Sequence, residues 1–245
     1  MRNYRFTISA DDSINEDLGL IKLQNKSTLH QIINVLRLEK NSCEEISFID
    51  GSGWIYICKI TEKSKNLIEF NILSKTLSTR ELNSYVKFLI PIIKPEAFSL
   101  MVQKLTEIGI QELQPIYYER SQEPYLKSFI KHREKLNAII HEATEQSQGA
   151  RFTILNDYKK LLEIEDTDSY ALKLFAYEAL AGIDSEQVLK NNSKKILLAI
   201  GPEGGLTNQE VELFKEKGFS ACSLGKRLLK AETAAISLAS RMELN

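Results

Sequence analysis

Cysteine, histidine and net charge are all scarce in this chain of 245 residues. The three cysteines, Cys43, Cys58 and Cys222, lie far apart and form no C-x-x-C pair. A disulfide framework or a thiolate metal site is therefore not expected, and the thiols read as packed and reduced. The three histidines, His30, His132 and His141, form no ligand cluster. His141-Glu142-Ala143-Thr144-Glu145 resembles a zinc-protease helix that lacks its second histidine, so no metal is expected there. No apolar run is long enough to span a bilayer. The first five residues, Met1-Arg2-Asn3-Tyr4-Arg5, are not followed by the apolar stretch of a secretory signal, and the expected location is the cytoplasm. The formal net charge is −1, so the whole molecule offers no positive field, and a nucleic-acid partner would need a local basic patch.

What is present is an adequate core and two textures. Hydrophobic residues make up 43% of the chain, enough for a folded protein. Residues 1–73 predict short strands: Tyr4–Ile8, Ile46–Ile49, then Trp54–Ile60 after the turn Asp50-Gly51-Ser52-Gly53, and Leu67–Leu73. One helix, from Thr28 to about Arg37 with Ser27 as its N-cap, interrupts them. This pattern predicts a small barrel. Residues 74–84 are polar and aperiodic and read as a linker. From residue 85, strands and helices alternate. The predicted strands are Tyr85–Ile93, Leu113–Tyr118, Ala171–Ala176, Ile196–Ile200 and Phe219–Leu224. The predicted helices are Pro95–Ile108 ended by Gly109, about Leu126 to Gln146, one opened by the capping box Thr207–Glu210, and Glu232 to about Leu244. Such alternation means an α/β fold, a parallel sheet with helices on its faces.

The chemistry concentrates in two glycine-bearing loops. Ile200-Gly201-Pro202-Glu203-Gly204-Gly205 follows one predicted strand, and Leu224-Gly225-Lys226-Arg227-Leu228-Leu229-Lys230 follows the next. Ligands of open parallel sheets sit beyond the carboxyl ends of the strands. Glycines let the backbone approach a ligand there, and Leu224, Leu228 and Leu229 offer aliphatic contact with a flat heterocycle. The chain carries neither a G-x-x-x-x-G-K-S/T phosphate loop nor a G-x-G-x-x-G dinucleotide fingerprint. Arg227, Lys230, Glu232 and Thr233 add fixed charge and polarity beside the pocket, as a site acting on a polar, partly anionic group requires. The residues alone thus point to a small-molecule pocket in an α/β domain, with an ordinary glycine turn and a solvated helix start as the alternatives.

Taken together, Ile200–Leu206 and Leu224-Gly-x-Arg227-Leu-Leu-x-x-Glu232-Thr233-Ala234 resemble the RsmE family, SPOUT-superfamily methyltransferases that act on N3 of a uridine in 16S ribosomal RNA. His30 with Val35-Leu36-Arg37, the Asp50–Gly53 turn, Lys94, Gln103–Gly109, Glu119-Arg120-Ser121 and Glu142–Ser147 follow in the family's order. The resemblance covers essentially the whole chain. It implies an N-terminal PUA-like β-barrel over residues 1–73 that helps hold RNA. It also implies a SPOUT domain over 85–245 with a trefoil knot, acting as a homodimer on the small ribosomal subunit. The cofactor implied is S-adenosyl-L-methionine. It would be held by Phe175, Ala176 and the loop after them, by Ile200, Gly201, Glu203, Gly204 and Gly205, and by Leu224, Gly225, Leu228, Leu229 and Thr233. Arg227 and Glu232 become the catalytic candidates. Arg37, Lys94, Arg120, Arg151 and Lys230 become the RNA-binding ones. Two departures mark this chain. Lys230 stands where the family has arginine, and Gln148-Gly149 and Thr153 replace the family's Gly-Arg and later proline. The rival functions are methylation of another RNA position, such as a ribose 2′-hydroxyl, and a non-catalytic RNA-binding or assembly protein.

Overall fold

The computed structural model describes residues 4–40, 45–177, 183–184 and 194–242, with only the backbone for 183–184 and Met242. The chain forms two compact units. One contains the residues up to Glu81 together with Thr144–Phe152, and the other contains Leu82–Ala143 and the residues from Thr153 onward.

The first unit is built on a six-stranded sheet. Its strands are β1 (Tyr4–Thr7), β2 (Ser13–Asn15), β3 (Leu20–Leu23), β4 (Ile46–Ile49), β5 (Trp54–Lys63) and β6 (Ile68–Leu77), in the order β1-β4-β5-β6-β3-β2. The β1–β4 pair is parallel and the others are antiparallel. Alternation along β5 and β6 sends Tyr56, Cys58, Ile60, Ile68 and Phe70 into one core with Phe6 and Phe48. Phe48 and Phe70 meet edge to face at 4.7 Å. Burial pushes the Cys58 thiol up to about 12, which makes it inert near neutral pH.

The helix of this unit begins earlier than the sequence pattern suggests. Helix α1 (Lys26–His30) is capped by Asn25, whose side chain accepts from the Ser27 and Thr28 amides, and Ser27 sits inside the helix. Asp12 fixes that cap by accepting the amides of Gln24 and Asn25. A long-range carboxylate therefore selects Asn25 over the local alternative. The helix continues as a wider π turn over Gln31–Val35, and Arg37 follows in the left-handed region at φ 54°.

The stretch 144–152 runs along this sheet. Thr7 donates its amide to Glu145 Oε1 at 2.6 Å, and the Arg5 guanidinium donates to the carbonyls of Gln148 and Gly149. The Gly53 amide donates to the Ala150 carbonyl at 3.0 Å, and the Ala150 amide to Glu81 at 2.8 Å. The Phe152 ring lies on Gly51, whose φ is +82°, and a Cβ there would come within 2.1 Å of the ring. Gly51→Ala is therefore expected to destabilise this unit by more than the roughly 1–2 kcal/mol of a left-handed backbone alone. Urea titration followed by Trp54 fluorescence measures it, because the chain has a single tryptophan and Trp54 lies in β5.

The second unit holds a seven-stranded, all-parallel sheet in the order β11-β13-β10-β12-β7-β8-β9. Its elements are β7 (Tyr85–Pro91), α2 (Pro95–Ile108), β8 (Glu112–Ile116), α3 (Glu123–Lys131), α4 (Arg133–Gln146), β9 (Ile154–Leu155), β10 (Leu172–Ala176), β11 (Ile183–Asp184), β12 (Lys195–Ala199), α5 (Asn208–Glu216), β13 (Ser220–Ser223) and α6 (Ala231–Ala239). The central strands are apolar where they are buried, Phe88–Pro91 in β7 and Ile196–Ala199 in β12, as burial on both faces demands. Helix α2 spans the predicted Pro95–Ile108, with Gly109 as its cap. The long helix expected over 126–146 is instead two helices. His132 departs from helical geometry at φ −109°, ψ 22°, and its ring Nδ1 binds the Ser128 carbonyl at 2.9 Å, closing α3 before α4 begins. On one face of the sheet, Leu89, Ile116, Tyr118, Phe175, Leu197 and Phe214 share a core. Residues 178–182 and 185–193, in the loop expected after Ala176 to enclose the adenine, lie outside the described residues.

Candidate active site

The register of the sheet brings the two glycine loops together. Phe175 of β10 pairs with Ala199 of β12 on one side and with Ala221 of β13 on the other. All three strands are parallel, so they end at one edge of the sheet. The loops leaving β12 and β13 therefore flank the end of β10, two interstrand spacings, or about 10 Å, apart.

The first loop, 200–206, is held from several directions. Ile200 is buried and donates its amide to the Leu89 carbonyl at 3.3 Å. Gly205 donates to the Pro202 carbonyl at 2.8 Å and closes a turn. Glu203, Gly204 and Gly205 remain exposed on the tip. A Cβ on Gly201 would sit 2.9 Å from Leu206 Cγ, so the loop can hug the sheet only with glycine there. The Arg120 guanidinium donates to the Gly204 carbonyl at 2.8 Å. Beside it, buried Glu210 accepts the Thr207 amide through one carboxylate oxygen and the Glu119 amide through the other, both at 2.8 Å. Thr207 Oγ1 completes the capping box on the Glu210 amide. The turn after β8 is thus strapped to the loop after β12 by two separate bonds. The capping box was legible in the spacing. The second carboxylate bond, to a residue 91 positions away, had no local signal.

The second loop, 224–230, is open. The Gly225 amide donates to Ser223 Oγ at 3.3 Å. Leu224 and Leu229 are half-buried, whereas Leu228 is 79% exposed, an apolar side chain placed where only a ligand or partner would cover it. Arg227 is exposed, and among the described residues it makes no ion pair. Lys230 is exposed and precedes the first turn of α6, which presents Glu232, half-buried, and Thr233, exposed. A carboxylate in that turn is favoured by the positive helix end.

Two expected contacts take a particular form. The Phe175 side chain is fully buried and stacks on Phe214 at 4.9 Å, so at that position only backbone faces the strand end, next to half-buried Ala176. Lys94 stands exposed at the head of α2, past the same edge of the sheet. In the first unit, Arg37 and Arg151 are exposed, and Arg151 lies against Gly53 and pairs with Ser52.

A parallel sheet with backbone-lined loops at its carboxyl edge and charged side chains beside them defines the class of α/β enzymes that bind a small cofactor there. Residues 80–243 match the family of RNA methyltransferase domains. The chain is 30% identical over 214 residues to a ribosomal RNA small subunit methyltransferase E of Aquifex aeolicus, covering 84% of this chain and 87% of that protein. A protein of the same name from Synechocystis is 29% identical over 240 residues, 94% of this chain and 74% of that one. The fold matches that of a ribosomal RNA small subunit methyltransferase E from Neisseria gonorrhoeae, solved with S-adenosyl methionine bound, at a TM-score of 0.84 and 24% identity over 99% of this chain and 98% of that one. The chain belongs to the RNA methyltransferase domain family, among its small subunit methyltransferase E members.

Proposed function

We propose that this protein methylates 16S ribosomal RNA of the small subunit at N3 of a uridine, with S-adenosylmethionine as donor. The observation that carries the reading is the pair of glycine loops at adjoining strand ends, in a chain of this family. The relative from Neisseria gonorrhoeae binds that donor on the same fold. Bound S-adenosylmethionine supplies a sulfonium methyl group, and the residues around it do the rest by positioning. Loop 200–206 holds the cofactor through backbone groups, and Leu224, Leu228 and Leu229 cover its apolar surface.

Uridine N3 carries a proton and becomes a nucleophile as that proton leaves. Charge then develops on O2 and O4. Arg227, uncommitted to any ion pair among the described residues, stabilises it, and Glu232 accepts the N3 proton or orients the base. The N3–CH3 bond forms as the S–CH3 bond breaks, and the proton passes through the carboxylate to solvent. Arg37, Lys94, Arg120, Arg151 and Lys230 contact RNA, and the enzyme works as a cytoplasmic homodimer. Lys230, a point charge where the family carries a planar fork, makes a looser contact.

Incubation of unmodified small subunits and of naked RNA with labelled S-adenosylmethionine, followed by mass mapping, tests the reading. N3-methyluridine is expected. A ribose methyl group, or no transfer, would overturn it.

Arg120 is expected to matter to the cofactor as well as to RNA. Arg120→Met removes the donor to Gly204 and frees the loop tip. The expected loss of S-adenosylmethionine affinity is about 3–10-fold, the range of one hydrogen bond, measured by calorimetry without RNA.

A further inference from the structure

A concavity opens on the same edge of the parallel sheet, away from the two glycine loops. Its volume is about 300 Å³, and its floor is Ile92 and Ile93, just past β7. Strand β7 pairs with β12, and Leu89 receives the Ile200 amide. Ile92 lies three residues further along, roughly 10 Å beyond the Leu89–Ile200 contact at the strand rise. The volume falls at the lower end of the roughly 300–1,000 Å³ usual for ligand sites, small for a whole cofactor and adequate for one base with its sugar.

Its chemistry is that of a nucleotide site. One wall is aromatic: Phe98 and Phe129 meet edge to face at 5.5 Å, and half-buried Tyr125 stands beside them. Arg133 lies over the Phe129 ring at 5.9 Å and donates to the carbonyls of Leu155 and Asn156. The polar groups are of both kinds. Ser99 and Ser128 supply hydroxyls, and Glu96 supplies an acceptor. The His132 ring adds a further polar group, with Nδ1 2.9 Å from the Ser128 carbonyl. His132 and Lys135 stand exposed at the rim, with Lys94 and Lys131 next to lining residues in sequence. A ring platform, a donor and acceptor set, and a cationic rim together suit an unpaired base and its phosphate.

We infer that this cavity binds the base of an unpaired nucleotide of the substrate RNA, neighbouring the one that is methylated. The inference rests on the proposed RNA methyltransferase function and adds a recognition subsite outside the cofactor loops.

Fluorescence anisotropy with small-subunit RNA, alongside calorimetry with S-adenosylmethionine, tests it. Tyr125→Ala removes the accessible ring and is expected to weaken RNA binding roughly 5–100-fold, the range for one stacked base, with the salt dependence unchanged. Lys135→Ala is expected to weaken binding less and to lower the salt slope by about 1. Ser128→Trp fills the cavity and is expected to weaken RNA at least as much as Tyr125→Ala. If Ser128→Trp also loses the cofactor, Tyr125→Ala decides. RNA affinity within twofold of wild type for Tyr125→Ala, with the cofactor still bound, overturns the subsite alone. A wild-type protein that binds neither RNA nor cofactor overturns the function on which it rests.

Discussion

Arg227→Ala is expected to slow methyl transfer about 10²–10³-fold, the cost of removing one group aimed at developing charge, while S-adenosylmethionine still binds. The expectation follows from where the side chain stands. Arg227 lies in the open loop after β13, is exposed, and has no ion-pair partner among the described residues to compete with a substrate oxygen. Its neighbours Leu228 and Leu229 are the proposed cofactor contacts, so losing the guanidinium leaves that surface intact. Glu232→Gln keeps shape and removes the proposed proton acceptor, and a comparable fall in turnover is expected. In the proposed mechanism the two act on one proton transfer and one charge, so the double variant is expected to be little slower than the worse single one. Single-turnover methylation of small subunits with pre-bound cofactor measures all three. Near-normal rates for both single variants would remove these residues from the chemistry. Arg227→Lys separates charge from geometry: a compact ammonium restores part of the rate if charge alone is needed.

The largest effect on stability is expected from Phe214→Ala, at about 3–5 kcal/mol. Phe214 has 0% exposure and is the hub of an aromatic cluster. Its ring stacks on Phe175 at 4.9 Å and 8°, meets Phe219 edge to face at 5.0 Å, and lies 6.4 Å from Tyr118. Those partners come from β10, the segment entering β13 and the segment leaving β8, so the void is lined by rigid elements that cannot collapse into it. At roughly 2–4 °C per kcal/mol for a chain of this size, the melting temperature falls by about 6–20 °C. Calorimetric scans measure it, and a loss under about 1 kcal/mol would mean that the cluster repacks. Phe214 sits on α5, the helix whose first turn carries Glu210. The variant is therefore also expected to loosen the strap from Glu210 to Glu119 and to weaken S-adenosylmethionine. Phe214→Leu, which keeps most of the volume, is expected to recover much of both.

Much of the second unit was legible because its signals are local. Pro95 and Gly109 bracket α2, the Thr207–Glu210 spacing opens α5, and apolar runs mark the central strands. Where local signals competed, a distant residue decided. Asn25 rather than Ser27 caps α1 because Asp12 holds its amide. The break at His132 carries no glycine, and its own ring makes it by binding Ser128. Arg120 read as an RNA contact on the strength of family order, and only the fold shows its bond to Gly204. Glu145 read either as part of an RNA-contacting loop or as a structural residue, and its carboxylate accepts the Thr7 amide.

The sequence by itself determined the two textures, the helix and strand types, and the two glycine loops with Arg227 and Glu232. Propensity, periodicity and capping act over a few residues, so they leave a trace in order and spacing. Tertiary structure decided which strand ends adjoin and so which loops share a site. It bound Glu210 to Glu119, and it placed 144–152 against the first sheet. Those pairings join residues tens of positions apart, and the free energy that selects them comes from burial and register, which no local window contains.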